Sequence, residues 1–144
     1  MDPADVKGKS SVGIEKPTKA SVLVIDDDEA VCESCRQILE ESGFSAAVAL
    51  QGAEGIRLAE EVRPNVVLVD LKMPGVGGME VIQKILDLDP HIVPIVITGY
   101  GTVDSAVESM KLGAFDFLAK PFEPEKLVES VRRGVKLSHL RQES

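Results

Sequence analysis

Four short apolar runs of this sequence each end at a polar side chain that could take part in chemistry. The first three runs are rich in valine and isoleucine, which is typical of buried parallel strands. If they are neighbours in one sheet, their polar residues meet at the carboxyl edge, where open α/β sheets bind ligands. The polar residues and the runs before them are Asp26, Asp27 and Asp28 after 21–25, Asp70 after 66–69, Thr98 after 94–97, and Lys120 after 115–119.

The aspartates at this edge predict a magnesium site. Two carboxylates about 4 Å apart repel by roughly 4 kcal/mol at an effective dielectric constant near 20, so a cluster of them needs a cation. Mg²⁺ takes one or two carboxylates and leaves room for phosphate oxygens. We therefore expect Asp26, Asp27 and Asp70 to bind Mg²⁺. Asp28 is expected instead to serve the N-terminus of the following helix, where a carboxylate is favourable.

Lys120 and Thr98 are suited to hold an anion beside these aspartates. Lys120 ends a buried run and precedes Pro121, so its ammonium group needs an anionic partner. The acid cluster, or a phosphoryl group held on it, would provide that partner. The hydroxyl of Thr98 could donate to a phosphoryl oxygen, and a turn threonine with no role is the alternative.

The composition is that of an ordinary globular protein and excludes several classes of function. The chain has 144 residues, of which 44% are hydrophobic and 28% charged, with a net charge of -8. Such an acidic chain lacks the basic face that nucleic-acid binding needs. No apolar stretch approaches the roughly 20 residues of a membrane span, and no secretory signal is visible. We expect a soluble cytoplasmic protein that binds neither nucleic acid nor membranes.

The apolar runs alternate with segments of helical periodicity. A fifth and weaker run, 45–50, follows Gly43 and is predicted to be the second strand. The helical segments lie at 31–42, 53–62, 78–88, 102–113 and from Pro124 onward. In the fourth segment Thr102 is expected as the N-cap, and four apolar residues share one face, namely Val103, Ala106, Val107 and Met110. Five strands alternating with five helices predict an α/β doubly wound sheet.

Two short motifs, a C-x-x-C pair and a glycine-rich segment, resemble functional sites but are predicted to be purely structural. Cys32 and Cys35 form a C-x-x-C pair inside the first helix, where we expect buried thiols and no redox site. The segment 75–78, Gly-Val-Gly-Gly, lacks the ending of a phosphate-binding P-loop and is predicted to be a mobile turn before the third helix.

One domain is expected at residues 20–136. Residues 1–19 are polar and show no periodicity, which predicts a disordered lead-in. Residues 137–144 are predicted to form a connector helix or tail, because Leu137 and Leu140 point away from the core stripe of the last helix. These leucines would contact a second copy or an output domain, and a frayed tail is the alternative.

Four motifs in this order and spacing resemble the receiver domain of two-component response regulators. They are V-L-V-I-D-D-D-E, V-V-L-V-D-L-K-M-P-G-V-G-G, I-V-I-T-G-Y and G-A-F-D-F-L-A-K-P-F. The resemblance runs from about Ser21 to about Gly134. It implies a flavodoxin-like parallel sheet of five strands in the order 2-1-3-4-5, which the residue pattern alone does not give.

The resemblance implies that Asp70 is the phosphoacceptor and that Thr98 and Lys120 contact the phosphoryl group. The Lys120–Pro121 peptide bond is expected to be cis. Many family members carry tyrosine three residues before this lysine, and here Phe117 takes its place. Its ring can still move inward as a switch when Thr98 moves, but no phenol hydroxyl seals that inward state.

The resemblance also implies the metal ligands and the residues that set the lifetime of the phosphoryl group. Asp27 would bind Mg²⁺ directly, Asp26 mostly through water, and the backbone carbonyl of Lys72 would be a third protein ligand. Lys72 and Tyr100 occupy positions that flank the path of the attacking water. A bulky side chain such as Tyr100 is expected to hinder that path.

The function implied is that of a switch and not of an enzyme with an external substrate. A sensor histidine kinase would transfer a phosphoryl group to Asp70 and change the face formed by helix 4, strand 5 and helix 5. That face would bind a second copy, forming a homodimer, or an output domain that this chain does not contain. The last motif resembles receivers attached to AAA+ enhancer-binding activators, which implies regulation of transcription.

Two alternatives are open. A phosphatase of the haloacid-dehalogenase type also begins with a D-x-D motif, which Asp26 and Asp28 could mimic. This chain lacks the late acidic pair of such enzymes, and Asp70 would have no role. A receiver-like module that is never phosphorylated is the second alternative. Such modules usually lack the aspartate or the lysine, and both are present here.

Overall fold

The computed structural model of the chain describes residues 19–99 and 101–143. The predictions for the lead-in up to residue 18 and for Tyr100 fall outside these ranges.

Five strands and five helices alternate along the described chain, as the apolar runs predict. Most boundaries agree with the prediction within one or two residues. Thr98 belongs to the fourth strand because it pairs with Ala119 across the sheet, and the second strand ends at Ala49, which pairs with Ile25. The elements are β1 (Ser21–Ile25), α1 (Glu29–Glu41), β2 (Ser45–Ala49), α2 (Gly52–Val62), β3 (Val66–Val69), α3 (Gly78–Leu88), β4 (Val93–Thr98), α4 (Val103–Lys111), β5 (Asp116–Ala119) and α5 (Pro124–Glu143).

The five strands form one parallel sheet in the order β2-β1-β3-β4-β5. This confirms the doubly wound α/β fold and the strand order that the family resemblance implies. All the strands point the same way, so their carboxyl ends lie along one edge. The order reverses between β1 and β3, and the crevice at that point is where open sheets bind ligands.

The two faces of the sheet carry separate hydrophobic cores, because successive strand residues point to opposite sides. On one face Val22, Val24 and Leu68 pack against α1 and α5 through Leu39 and Leu127. On the other face the alternate strand residues pack against α2 and α3, and the main participants are Leu23, Ile25, Val67, Val69, Ala59, Val81, Ile82 and Ile85. The three central strands, β1, β3 and β4, are almost completely buried between these cores, which fixes the position of their carboxyl ends.

Helix α4 departs from what its apolar periodicity normally indicates. Thr102 is its N-cap, as predicted, and forms a capping box with Ser105. The apolar face of the helix is turned to the surface, where Val103 is 80% exposed, Val107 48% and Met110 46%. Apolar faces of helices usually pack inward. This helix therefore leaves an apolar surface outside the domain core.

The end of α5 corrects one prediction. The helix continues without a break through residues 136–137 to Glu143. Leu137 is half-buried and packs against the core on the α1 side, so the prediction that it points away is wrong. It lies roughly 120° from Val131 around the helix, but long side chains reach toward the preceding turn and cover the core edge. Leu140 is 54% exposed, as expected. No helix in the described part of the chain is long and apolar enough to cross a membrane.

Candidate functional site

The ends of β1 and β3 hold two aspartates side by side. The sheet hydrogen bonding continues one residue past each strand, since the amide of Asp26 donates to Ala49 O at 3.1 Å. The amide of Asp70 donates to Ile25 O at 3.0 Å. Both main chains are thus fixed by the sheet. Asp26 is completely buried and Asp70 is 5% exposed, so the protein holds two acidic groups in a nearly dry position.

Asp27 completes a group of three carboxylates. Asp27 is exposed, and one oxygen from each of Asp26, Asp27 and Asp70 lies within 4.8 Å of the other two. They line an open pocket of about 400 Å³ together with Lys72 and other polar side chains. Octahedral Mg²⁺ with bonds of about 2.1 Å places adjacent ligands roughly 3.0 Å apart and opposite ligands roughly 4.2 Å apart. Small side-chain movements would bring these oxygens into that range, so the donor set fits Mg²⁺.

Lys120 lies between the two buried carboxylates. Its Nζ donates to Asp26 Oδ2 at 2.7 Å and to Asp70 Oδ2 at 3.3 Å. The backbone amide of Lys120 donates to Thr98 O at 2.9 Å, which holds β5 beside β4 at this edge. Burial lowers the pKa of the ammonium group, but the hydrogen bond and the charges of the two aspartates outweigh it and raise the pKa. Lys120 is therefore a fixed cation in the pocket.

The surroundings of Asp26 disfavour the charged form of its buried carboxyl group. Burial raises its pKa, and the negative charge of Asp70 adds to the rise. The hydrogen bonds from Lys120 and from the amide of Asp28, the latter at 2.9 Å, oppose this but do not cancel it. A second cation in the pocket would relieve the repulsion.

Asp28 also lines the pocket, and its side chain serves the N-terminus of the following helix, as predicted. It is the N-cap of α1, where its Oδ1 accepts from the amides of Ala30 at 3.0 Å and Val31 at 3.4 Å. The Oδ1 atom of Asp28 therefore caps the N-terminus of α1.

The structure places the other predicted site residues around the same edge. Lys72 is exposed, and its amide donates to Asp70 Oδ1 at 3.3 Å. Thr98 is completely buried at the end of β4. Phe117 is half-buried on β5, with its ring close to Gly101 in the loop after β4. The Lys120–Pro121 bond is cis, as expected.

Two residues near the site have contacts that the sequence pattern does not reveal. Cys32 is buried in α1, and its Sγ donates to the backbone oxygen of Asp26 at 3.2 Å. Gly78 begins α3 directly against the backbone of Asp70. The pair of glycines at the start of a predicted helix is the signal that could have indicated a close approach at Gly78.

With this geometry established, the comparisons with known proteins give the family. The family model for the response regulator receiver domain matches residues 22–132. The chain belongs to the response regulator receiver family. The chain is similar over 86% of its length to the solved CheY-like receiver domain protein from Methanospirillum hungatei JF-1, with a TM-score of 0.82 and 31% identity, and it covers 99% of that protein's chain.

The related proteins include transcriptional regulators of greater length. The chain is 38% identical over 79% of its length to the C4-dicarboxylate transport transcriptional regulatory protein DctD of Rhizobium meliloti. The chain is also 39% identical over 81% of its length to the transcriptional regulatory protein FixJ of the same organism. It spans 25% of DctD and 57% of FixJ. The chain therefore matches only part of each of these proteins.

Proposed function

We propose that this receiver domain accepts a phosphoryl group on Asp70 from a sensor histidine kinase. The observation that carries the proposal is the position of Lys120 Nζ, 3.3 Å from Asp70 Oδ2, inside a pocket with three further carboxylates. A carboxylate with a fixed cation beside it and space for a dication has the features that phosphoryl transfer needs.

Asp26, Asp27 and Asp70 would hold Mg²⁺, with the carbonyl oxygen of Lys72 as a further ligand. Asp27 is the exposed member of the three and is proposed as the direct ligand, while buried Asp26 acts mostly through water. Bound Mg²⁺ supplies the positive charge that the transferring phosphoryl oxygens require.

The transfer itself uses Asp70 as a nucleophile. One carboxylate oxygen attacks phosphorus in line and forms the new bond. The bond from phosphorus to the imidazole nitrogen of the kinase breaks, and its electron pair stays on that nitrogen. Lys120 then pairs with the phosphoryl oxygens, and the hydroxyl of Thr98 donates to one of them. Attack of water on the aspartyl phosphate later releases phosphate and resets the switch.

Phosphorylation would be transmitted through Thr98 and Phe117 to the surface of α4, β5 and α5. The added charge of about -1.5 to -2 draws Thr98 toward the site and moves the loop that follows it. The contact of that loop with the Phe117 ring at Gly101 supports this route. The exposed apolar face of α4 supports a role for this surface in binding a second copy or an output domain.

An apolar groove beside the pocket supports a helix of the kinase as the docking partner. The groove has a volume of about 690 Å³ and lies between α1 and the start of α5. Ile38 and Phe122 contribute apolar side chains to it, and Lys120 lines both this groove and the acidic pocket. A kinase helix in the groove would therefore place a phosphohistidine near Asp70.

The wider setting is proposed from the family and from the composition. The domain would work in the cytoplasm, without binding nucleic acid or membranes directly. The relationship to transcriptional regulators supports an output domain of the AAA+ activator type following the receiver domain at 20–136. The end of α5 from residue 137 onward would connect the two domains.

The lifetime of the phosphoryl group is proposed to depend on Lys72 and Tyr100. Tyr100→Ala should shorten the half-life of the phosphorylated protein, because the path of water to the phosphoryl group is less obstructed. The decay of phosphorylated protein after removal of the phosphodonor measures this. An unchanged or longer half-life would count against the shielding role.

Phosphorylation by a small phosphodonor tests the proposed function. The wild type, incubated with Mg²⁺ and acetyl phosphate, should gain the mass of one phosphoryl group. Asp70→Asn and a sample with the metal chelated should gain none. Full labelling of Asp70→Asn would contradict the proposal. Rapid turnover of a generic phosphate ester would favour the phosphatase alternative, and no labelling under any condition would favour a receiver-like module that is never phosphorylated.

A further inference from the structure

Gly78 is packed so tightly against the main chain of Asp70 that no side chain fits there. It is buried at the first position of α3. A Cβ atom on Gly78 would lie 2.4 Å from Asp70 O, 2.6 Å from Leu71 Cα and 3.0 Å from the carbonyl carbon of Asp70. Its φ lies outside the left-handed region, unlike that of Gly75 at +80°. The glycine is therefore required by space and not by backbone conformation.

The atoms around Gly78 cannot move aside as a side chain would. All three belong to the backbone that carries the Asp70 carboxylate. An ordinary contact begins near 3.4 Å, so relief of the closest approach needs a displacement of about 1 Å. The amide of Gly78 also donates to Leu71 O at 3.2 Å, which ties the start of α3 to the same segment.

Helix α3 has little freedom to retreat from Asp70. Its residues Val81, Ile82 and Ile85 are buried in the core on that face of the sheet. Behind the loop lies Gly52 at the start of α2, where a Cβ atom would be 2.6 Å from Val76 O and 2.9 Å from Val81 Cγ2. The loop between β3 and α3 is thus packed between α2 and the Asp70 main chain.

We infer that Gly78 is a positioning residue for the phosphoacceptor, acting through the backbone of Asp70 and Leu71. Because Gly78 has no side chain, α3 can pack against the backbone of Asp70. This packing fixes the position of the Asp70 carboxylate relative to Asp27 and Lys120. The inference rests on the proposed phosphoryl-acceptor function. Displacements near 1 Å are enough to reduce the efficiency of a prearranged site by up to about 100-fold.

Two other glycines of the chain provide matched controls for Gly78→Ala. A Cβ atom on Gly77 would meet only Leu71 O at 3.9 Å, an ordinary contact, so Gly77→Ala adds the same methyl group without crowding. A Cβ atom on Gly134 would lie 3.0 Å from Val66 Cγ2. Gly134→Ala therefore crowds the opposite core and controls for lost stability.

Mg²⁺ affinity and the state of the metal-free protein are the decisive readouts. Gly78→Ala should bind Mg²⁺ at least about 10-fold more weakly than the wild type. Without metal, the amide resonances of Asp70 and Lys72 should shift in Gly78→Ala and not in Gly77→Ala. Both control variants should keep the wild-type affinity, and Gly134→Ala should do so even where denaturation shows that it is less stable.

The outcomes separate this inference from the proposed function. Failure of the wild type to bind Mg²⁺ or accept a phosphoryl group contradicts the proposed function. Normal wild-type behaviour with equal affinities in Gly78→Ala and Gly77→Ala contradicts the positioning role alone. If Gly78→Ala does not fold, Gly52→Ala takes its place, because its Cβ presses on Val76 O from the other side of the loop. Its affinity should then fall, and an unchanged value overturns the inference.

Discussion

At the level of single residues, the pocket depends on one lysine that neutralises only part of the charge of three carboxylates. Lys120 contacts Asp26 and Asp70, and Asp27 lies within reach of the same metal position. With all groups ionised, these three carboxylates and Lys120 have a net charge of -2, and Asp28 and Lys72, which also line the pocket, add one charge of each sign. A divalent cation would balance the remainder, which explains how an acidic cluster can sit at a buried sheet edge.

Asp27 and Asp28 should respond in opposite ways to substitution, although they are neighbours. Asp27→Ala should lower Mg²⁺ affinity at least about 10-fold, because it removes a direct ligand. Asp28→Ala should keep the affinity and lose about 1 kcal/mol of unfolding free energy, because the α1 N-cap is lost. Mg²⁺ titration and chemical denaturation of both variants measure these effects. Equal losses of affinity would show that the metal ligands are assigned wrongly.

The two thiols should be unreactive in the folded protein. They should also make the free energy of unfolding depend on pH in the alkaline range. Burial raises the pKa of Cys32 to about 12 and of Cys35 to about 11, above the 9.0 of a free thiol. The thiol form therefore stabilises the fold fully below pH 9, and this contribution disappears as the pH rises toward 11 to 12.

A disulfide reagent and pH-dependent denaturation check the behaviour of these thiols. At pH 8 an aromatic disulfide reagent should label both cysteines only as fast as the protein unfolds, while denatured protein serves as the fully reactive control. The unfolding free energy should fall above pH 9 more steeply in the wild type than in a Cys32→Ala/Cys35→Ala variant. Rapid labelling of folded protein would contradict the buried placement.

The sequence indicates which chemical groups form the site, but it does not indicate which packing contacts hold those groups in position. The residue types after the strands indicate the acid cluster and the lysine, because open sheets bring strand ends together. The close approach of Gly78 to Asp70 and the contact of Cys32 with Asp26 O depend on how helices pack in three dimensions. Nothing in the local pattern specifies these distances.

At the level of elements, α4 shows why periodicity alone does not determine burial. Its apolar positions have the spacing of a core helix, yet the helix buries only Ser109 among its described residues. The cores on both faces of the sheet are filled mainly by the other four helices. The apolar side of α4 therefore remains at the surface, where it is exposed to solvent or available to a partner. The end of α5 shows the reverse case, since Leu137 covers the core edge although its angular position predicts exposure.

Substitutions on the α4 surface should affect association and not folding. Val107→Ala/Met110→Ala should change the unfolding free energy by no more than about 0.5 kcal/mol per substitution, because both residues are about half exposed and lie outside the core. Leu127→Ala, in the core, should cost about 2–5 kcal/mol. The α4 variant should also weaken any self-association of the phosphorylated protein in analytical ultracentrifugation. A large loss of stability in that variant would show that α4 packs inward.

At the level of the whole molecule, the parallel sheet brings together site residues that lie far apart in the sequence, such as Asp26 and Lys120, which are separated by 94 positions. Alternation of strands and helices was enough to predict a doubly wound sheet. The order of the strands was not contained in that pattern, because several orders satisfy right-handed crossovers, and it came from the family resemblance. The order matters for function, since it places β1 and β3 side by side and Asp26 next to Asp70.

The central claim, that Asp70 receives the phosphoryl group, is tested most directly by chemical identification of the modified residue. Borohydride reduces an aspartyl phosphate to homoserine, so the protein is phosphorylated with acetyl phosphate and Mg²⁺, reduced, digested and analysed by peptide mass spectrometry. Homoserine should appear at position 70, only when phosphodonor and Mg²⁺ are both present, with Asp26, Asp27 and Asp28 unchanged. Homoserine at one of those three positions, or phosphate retained on a serine or threonine in place of residue 70, would contradict the account.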